Sequence, residues 1–226
     1  PALRGGAAHE RAPPIEAVLL LEFQGDATFE SDDPALEINE TAPTIEAEIT
    51  ARPAPMLSVH SHVIGESVRD PDPFEDTFFD EVGVFVETLQ VEYGTESFGV
   101  RAGKFNPPFG VGWDLLPGLY GSDFADDYEL TEQIGFGARA TLDGGDFGTH
   151  ALGASAFFAD TSVLSDSALT SRGRLRRSDG GPANTGDPAS FVVTLDGIDL
   201  AWISGLGYHA AISRQRPGEG DTATER

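Results

Sequence analysis

Apolar and polar residues alternate strictly along much of this chain, and a period of two is the repeat of an extended strand, whose side chains point to opposite faces in turn. From Leu19 the residues Leu19, Leu21, Phe23, Gly25, Ala27 and Phe29 share one parity, while Leu20, Glu22, Gln24, Asp26, Thr28 and Glu30 share the other. The same pattern returns with Ile45, Ala47, Ile49 and Ala51 against Glu46, Glu48 and Thr50, and then with Leu57, Val59, Ser61 and Val63 against Ser58, His60 and His62. Arg52-Pro53-Ala54-Pro55 separates these two predicted strands. Glycine, 27 of 226 residues, falls inside the alternating stretches as well as between them, which argues against helix. The chain is predicted to be all-β and antiparallel.

The clearest hairpin is central. Leu89, Val91 and Tyr93 alternate with Thr88, Gln90 and Glu92, the chain turns at Gly94-Thr95-Glu96, and Phe98, Val100 and Ala102 return against Gly99, Arg101 and Gly103. Ile134, Phe136, Ala138, Ala140 and Leu142 then alternate with Gln133, Gly135, Gly137, Arg139 and Thr141. Asp143-Gly144-Gly145-Asp146 reads as a turn, and Leu152, Ala154, Ala156 and Phe158 mark the next strand. Residues 191–195 and 206–212 read as further strands, with the turn between them at Asp196-Gly197 or Ser204-Gly205.

The connections alternate between a few residues and the long stretches 106–130 and 160–189. Structureless joins beyond about 12–15 residues are uncommon in compact soluble domains, whereas tight turns at one rim and long loops at the other are the wiring of a transmembrane barrel. On that reading the apolar parity meets lipid and the polar parity meets a wet interior. An antiparallel β-sandwich alternates too, and the alternative is a soluble secreted sandwich that binds carbohydrate or a protein partner. A third reading is a structural or adhesive barrel whose lumen is filled by its own side chains.

Charge and motifs narrow the function. Fourteen basic residues against 38 acidic ones give a net charge of -24, so the surface repels phosphodiester backbones and no nucleic-acid partner is expected. The longest strictly apolar run is residues 17–21, far short of the roughly 20 residues of a membrane-spanning helix. The chain has no Cys, hence no disulfide or thiolate metal site. The chain contains no Gly-x-Ser-x-Gly elbow, phosphate-binding loop, dinucleotide fingerprint or His-Glu-x-x-His, so neither an enzyme nor a cofactor is expected. Asp70-Pro71-Asp72-Pro73-Phe74-Glu75-Asp76 reads as a solvated acidic loop, since it lacks the glycine spacing of a calcium loop. His60 and His62 share a strand face but have no third ligand in the sequence, so no metal site is expected.

Gly103-Lys104-Phe105-Asn106-Pro107-Pro108-Phe109-Gly110, directly after the strand Phe98 to Ala102, resembles a motif of Gram-negative outer-membrane porins, most closely those of the phosphate-selective porin O and P type. Glu132-Gln133-Ile134-Gly135-Phe136-Gly137-Ala138-Arg139 is similar to their returning strand. The resemblance covers roughly residues 80–160. It implies an antiparallel transmembrane β-barrel in a bacterial outer membrane, surrounded by lipid and lipopolysaccharide, that passes small hydrophilic solutes or ions; a homotrimer is compatible with it. Porins of this type end on a strand with a terminal aromatic residue, and this sequence ends in the polar run 218–226. The expected organisation is therefore a disordered segment over 1–15 and a barrel over 16–226 that lacks its C-terminal strands. Phosphate selectivity is not carried over, because the acidic excess is opposite in sign to what such a pore presents.

The candidate pore-lining residues are those on or next to the polar parity: Gln90, Glu92, Arg101, Lys104 and Arg139. Candidates for the pore mouth are Asp123, Asp126 and Asp127 in the first long loop, which the resemblance implies folds inward to narrow the pore, and Arg174, Arg176 and Arg177 in the second. The second loop holds the one basic cluster, suited to lipopolysaccharide phosphates or to steering anions. Trp202, Tyr208, Tyr93 and Tyr128 are candidates for interfacial aromatic girdles.

Overall fold

A computed structural model describes residues 14–112, 129–200, 205–219 and 224–225. These residues form one all-β sheet. Its long strands are β1 (Ile15–Ala27), β2 (Asn39–Ala54), β3 (Leu57–Ser67), β5 (Val82–Gly94), β6 (Phe98–Phe105), β7 (Gln133–Asp143), β8 (Thr149–Ala159), β10 (Ser190–Ile198) and β11 (Tyr208–Gln215). Three two-residue strands, β4 (Thr77–Phe78), β9 (Ala168–Leu169) and β12 (Thr224–Glu225), complete it. The order is β1-β2-β3-β5-β6-β7-β8-β10-β11-β12, with β4 beside β2 and β9 beside β5. Every neighbour along that path is antiparallel, so β1 and β11 run in the same direction. The sheet is open, with β1 as one edge.

Several strands are long. β1, β2 and β5 run 13, 16 and 13 residues, against roughly 5–6 for an average soluble strand. Joins at one end of the sheet are short, over 55–56, 95–97, 144–148 and 199–207, and joins at the other are longer, over 28–38, 68–81, 106–132 and 160–189. The first tight turn is shorter than the proline-rich stretch suggests. β2 continues to Ala54, which pairs with Leu57 across a register shift, so only Pro55 and Met56 are left to turn. Asp196-Gly197 is not a turn: both residues lie in β10, paired with His209 and Tyr208.

Register turns the alternation of single strands into two faces. Ile15, Ala51, Val59, Val91, Ala102, Phe136, Ala156 and Phe191 are cross-strand partners in succession, an apolar row from β1 to β10. The next row toward the short turns adds Leu57, Tyr93, Val100, Ala138, Ala154, Val193 and Ile212. On the opposite face Ser58, Glu92, Arg101, Gly137, Ser155, Val192 and Ser213 align in the same way.

The apolar face is the open one. Phe136 is 55% exposed and Ile212 61%. The polar face is covered across β8, β10 and β11, where Ser155, Thr194, Ser213 and Gln215 are buried. A compact cluster of Leu130, Phe157, Ala159, Ala183 and Val192, with Phe109, Leu175 and Ala211 against it, sits on this polar side. Residues of both long connections contribute to it. The connection after β8 is fastened there by Ala159 N–H to Ala183 O at 2.9 Å and Ala183 N–H to Arg216 O at 2.8 Å.

One glycine controls the end of β6. Gly103 has φ of 134°, and a Cβ there would lie 2.4 Å from Leu89 O. Past it the alternation of β6 stops, since Lys104 and Phe105 are both buried. Gly103→Ala is expected to cost about 1–3 kcal/mol through backbone strain and overpacking, read as a lowered denaturant midpoint.

Candidate functional site

The polar face carries the charged candidates on a floor of small residues. Arg101 and Arg139 stand on β6 and β7 around a cavity of about 310 Å³ whose walls include Glu92, Gly99, Gly137, Gly153, Ser155, Thr194 and Asp196. The glycines create the space. A Cβ on Gly137 would meet Ser155 Oγ at 2.4 Å and Arg101 Nε at 3.3 Å. Arg101 lies over the Phe105 ring, 4.6 Å from its centroid, a distance suited to cation–π attraction, with Nη2 3.5 Å from Ser155 Oγ. Glu92 is its cross-strand partner on β5. Beyond Thr194, Asp196 Oδ1 lies 2.6 Å from His209 Nδ1.

The same face over β2, β3 and β5 is acidic. His62 lies between two carboxylates, with Nδ1 2.5 Å from Glu87 Oε2 and Nε2 3.2 Å from Glu46 Oε2; Glu48 is its cross-strand partner. Glu87 occupies the register shift between the His62 and Val63 pairings, and Asn106 Nδ2 donates to its Oε1 at 3.1 Å. His60 is held by Thr50 Oγ1 and Ser58 Oγ, with Glu92 Oε2 3.8 Å away. Gln90 pairs with His60 and Gly103 in register, and its Oε1 is buried without a hydrogen-bond partner. Among the described residues no group of three or more His, Asp or Glu is disposed to hold a metal ion.

Lys104 is placed differently from the other pore-lining candidates. Its register partners are Leu89 and Ile134, on the apolar parity, yet it is only 3% exposed. Its Nζ is 2.7 Å from Glu132 Oε2 and 3.0 Å from Asp160 Oδ2, and donates to Leu164 O at 2.7 Å. Arg172 grips the same Glu132 with both terminal nitrogens, at 2.8 and 2.5 Å, and stacks 3.7 Å from the centroid of Phe85. This bidentate pairing and the buried ammonium fix the start of the 160–189 connection over the ends of β6 and β7. β9 then pairs with Gly83 and Val84 of β5, at the level where β6 has ended.

The remaining candidates divide. Arg174 donates from Nε and Nη2 to Thr161 O at 3.1 and 2.8 Å, the Arg176 amide donates to Asp179 Oδ2 at 2.7 Å, and the Arg177 guanidinium lies against Gly186. All three side chains are exposed. The loop is shaped upstream by Asp166, whose carboxyl is held below its ordinary range by Ser171 Oγ and by the amides of Ser167 and Gly173. Asp123, Asp126, Asp127, Tyr128 and Trp202 lie outside the described residues, as does residues 113–128 of the first long loop. In the acidic stretch 70–76, Asp76 Oδ1 accepts from Asn39 N–H at 2.7 Å and from its side chain at 3.2 Å, so it pins one connection to the start of β2.

Sequence reasoning read Glu132 only as the start of a returning strand and Arg172 only as part of the basic cluster in the second long loop; it brought neither together with Asp160, and it did not group Glu46 with Glu87 around His62. Glu46 was visible as a polar-parity residue; the others become neighbours only through loop placement and the register shift in β5. Comparison with protein-family models, curated proteins and solved structures finds no match to this chain.

Proposed function

We propose that the chain forms a wall of an outer-membrane β-barrel through which small hydrophilic solutes or ions diffuse passively. The observation that carries this reading is the inversion of the faces: apolar residues form rows across the sheet that stand mostly exposed, while the charged and small residues share the opposite face, which is covered over β8, β10 and β11. Full burial of one such side chain is worth about 1.5–3 kcal/mol, and contiguous apolar surface beyond a few hundred Å² marks an interaction or membrane surface. A soluble sandwich needs a second sheet on the apolar face, and the described strands form one sheet only.

Strand length and aromatic placement support the same reading. With the bulged Glu87 left out of its 13 residues, eleven residue steps along β5 reach about 36 Å at roughly 3.3 Å each, and a tilt of about 35–45° reduces this to near the 25 Å apolar band of such barrels. Tyr93, Phe98 and Tyr208 lie exposed toward the short turns. Phe23, Phe78 and Phe79 form an exposed ring cluster toward the long connections, with centroids 5.8 and 4.4 Å apart. The segment Gly103 to Gly110, which resembles the porin motif, leads from β6 into a long connection.

In hydrocarbon an open edge leaves backbone groups unsatisfied. Because β1 and β11 run in the same direction, they cannot pair antiparallel with each other, and closure in this mode takes an odd number of additional strands between them. β12 already adds to β11 through Arg214 with Glu225 and Gln215 with Thr224.

The full protein, expressed in a Gram-negative host, is expected to stay with the outer-membrane fraction through a carbonate wash, to shift in gel mobility on boiling and to conduct in planar bilayers. A protein released by the wash, with no shift and no conductance, would overturn the proposal.

A further inference from the structure

Charges of both signs line one cavity on the polar face. Its volume is about 310 Å³, with Glu92, Arg101, Arg139 and Asp196 among its walls. Glu92 on β5 and Asp196 on β10 are four strand spacings apart, about 19 Å along the sheet. Glycines keep the space between them open: a Cβ on Gly99 would lie 3.1 Å from Glu92 Oε1, and one on Gly153 2.5 Å from Thr194 Oγ1. Pro108, from the connection after β6, adds an apolar wall. The hydrogen-bonding groups of this cavity are largely unspent. Arg139 is exposed and has no carboxylate within ion-pair distance among the described residues. Arg101 donates to Ser155 Oγ only at 3.5 Å, Glu92 stands 3.8 Å from His60, and Asp196 engages His209 through Oδ1.

We propose that this cavity is a subsite for short neutral saccharides, whose adjacent hydroxyls accept from the Arg101 and Arg139 guanidinium groups and donate to Glu92 or Asp196. The inference shares with the pore reading the premise that this face meets water, and it names a class of solute for that wall. A hydroxyl both donates and accepts, whereas a guanidinium only donates and a carboxylate only accepts. One edge of a sugar ring therefore satisfies a guanidinium fork with one oxygen pair and a carboxylate with a neighbouring O–H. Glu92 and Asp196 lie farther apart than a single ring spans, so a ligand that reaches both has more than one ring.

The balance of charge in the cavity argues against an ionic ligand. Arg101 is one strand from Glu92 and Arg139 two strands from Asp196, about 5 and 10 Å, distances comparable with the roughly 8 Å Debye length at physiological salt. An anion held by either arginine thus also meets a carboxylate, and a cation held by either carboxylate meets an arginine. A neutral ligand escapes both repulsions and brings no charge to desolvate. Among the described residues no aromatic ring lines the cavity, so binding rests on hydrogen bonds, whose net contribution is modest, and exchange is expected to be fast.

Saturation-transfer NMR on the full protein, in a detergent without a sugar headgroup, tests this with sucrose against tetraethylene glycol dimethyl ether, a neutral solute whose oxygens only accept. Sucrose is expected to show roughly threefold or more the transfer of the ether, because it alone can also donate to the carboxylates, and equimolar inorganic phosphate should leave that signal unchanged. Arg101→Gln with Arg139→Gln should bring sucrose down to the level of the ether, while Arg174→Gln, on the 160–189 connection, should leave it as in wild type. Far-UV circular dichroism establishes that each variant is folded. Equal transfer to the two solutes, a sucrose signal that survives the double variant, or its displacement by phosphate would overturn the inference. The pore reading is decided separately by membrane retention and conductance. A retained, conducting protein without sucrose transfer would sink the saccharide subsite alone, and a protein released by the wash that still shows arginine-dependent transfer would sink the pore alone.

Discussion

Lys104→Met is expected to lower the unfolding free energy by about 3–5 kcal/mol, because it leaves buried carboxylates without their cation. The Asp160 side chain is 1% exposed and the Lys104 side chain 2%, so water cannot take over the lost interaction. Glu132 is less affected, since it is 23% exposed and keeps Arg172. The loss therefore falls mainly on Asp160, and Lys104→Met with Asp160→Leu should recover much of it, as expected when both members of a buried pair are replaced by apolar groups. Guanidinium unfolding of the detergent-reconstituted protein, followed by tryptophan fluorescence, measures both. A single variant within about 0.5 kcal/mol of wild type would show that the ammonium does not hold the 160–189 connection.

Ala154→Arg is expected to cost about 2–4 kcal/mol in a bilayer, the range for a basic residue facing lipid near the midplane. Ala154 lies mid-strand on β8, between Ala138 and Val193 on the apolar face, and is exposed. On a surface facing water the same change would fall within about 0.5 kcal/mol. Arg139→Gln, on the polar face of the next strand, is the control and should cost less than about 1 kcal/mol. Unfolding from vesicles gives the two values, and a cost for Ala154→Arg no greater than that of the control would place this face in water.

The strands were legible because a buried or lipid-facing side repeats every second residue and leaves its mark on each strand separately. Leu89, Val91 and Tyr93, or Phe136, Ala138 and Ala140, need no knowledge of their neighbours to be assigned a common face. Lys104 was legible only as a polar residue near the lumen. Its parity sets it with Val100 and Ala102, and its partners Glu132, Asp160 and Leu164 come from connections 28 to 60 residues away, which no local period encodes. Gly197 misled for a related reason. Asp-Gly is a common turn signal, but here the Tyr208 ring lies where a Cβ would be, its Cε1 2.2 Å away. The glycine seats an aromatic ring within the sheet, and the need for it arises from the neighbouring strand. Parity placed Arg101, Arg139, Gln90 and Glu92 on the polar face in advance; the way the 160–189 connection folds onto that face depends on contacts such as Leu175 with its apolar cluster.

The central claim is that one face of this sheet meets lipid and the other meets water. The chain contains no cysteine, so single cysteines introduced in turn at Phe136, Ala138, Arg139, Ala140 and Thr141 on β7 each provide one unambiguous site for a fluorescent label. In vesicles, labels at Phe136, Ala138 and Ala140 are expected to be quenched by brominated lipid, and those at Arg139 and Thr141 by aqueous iodide. Quenching by iodide alone at all five positions, or no quenching by lipid at Ala138, would contradict it.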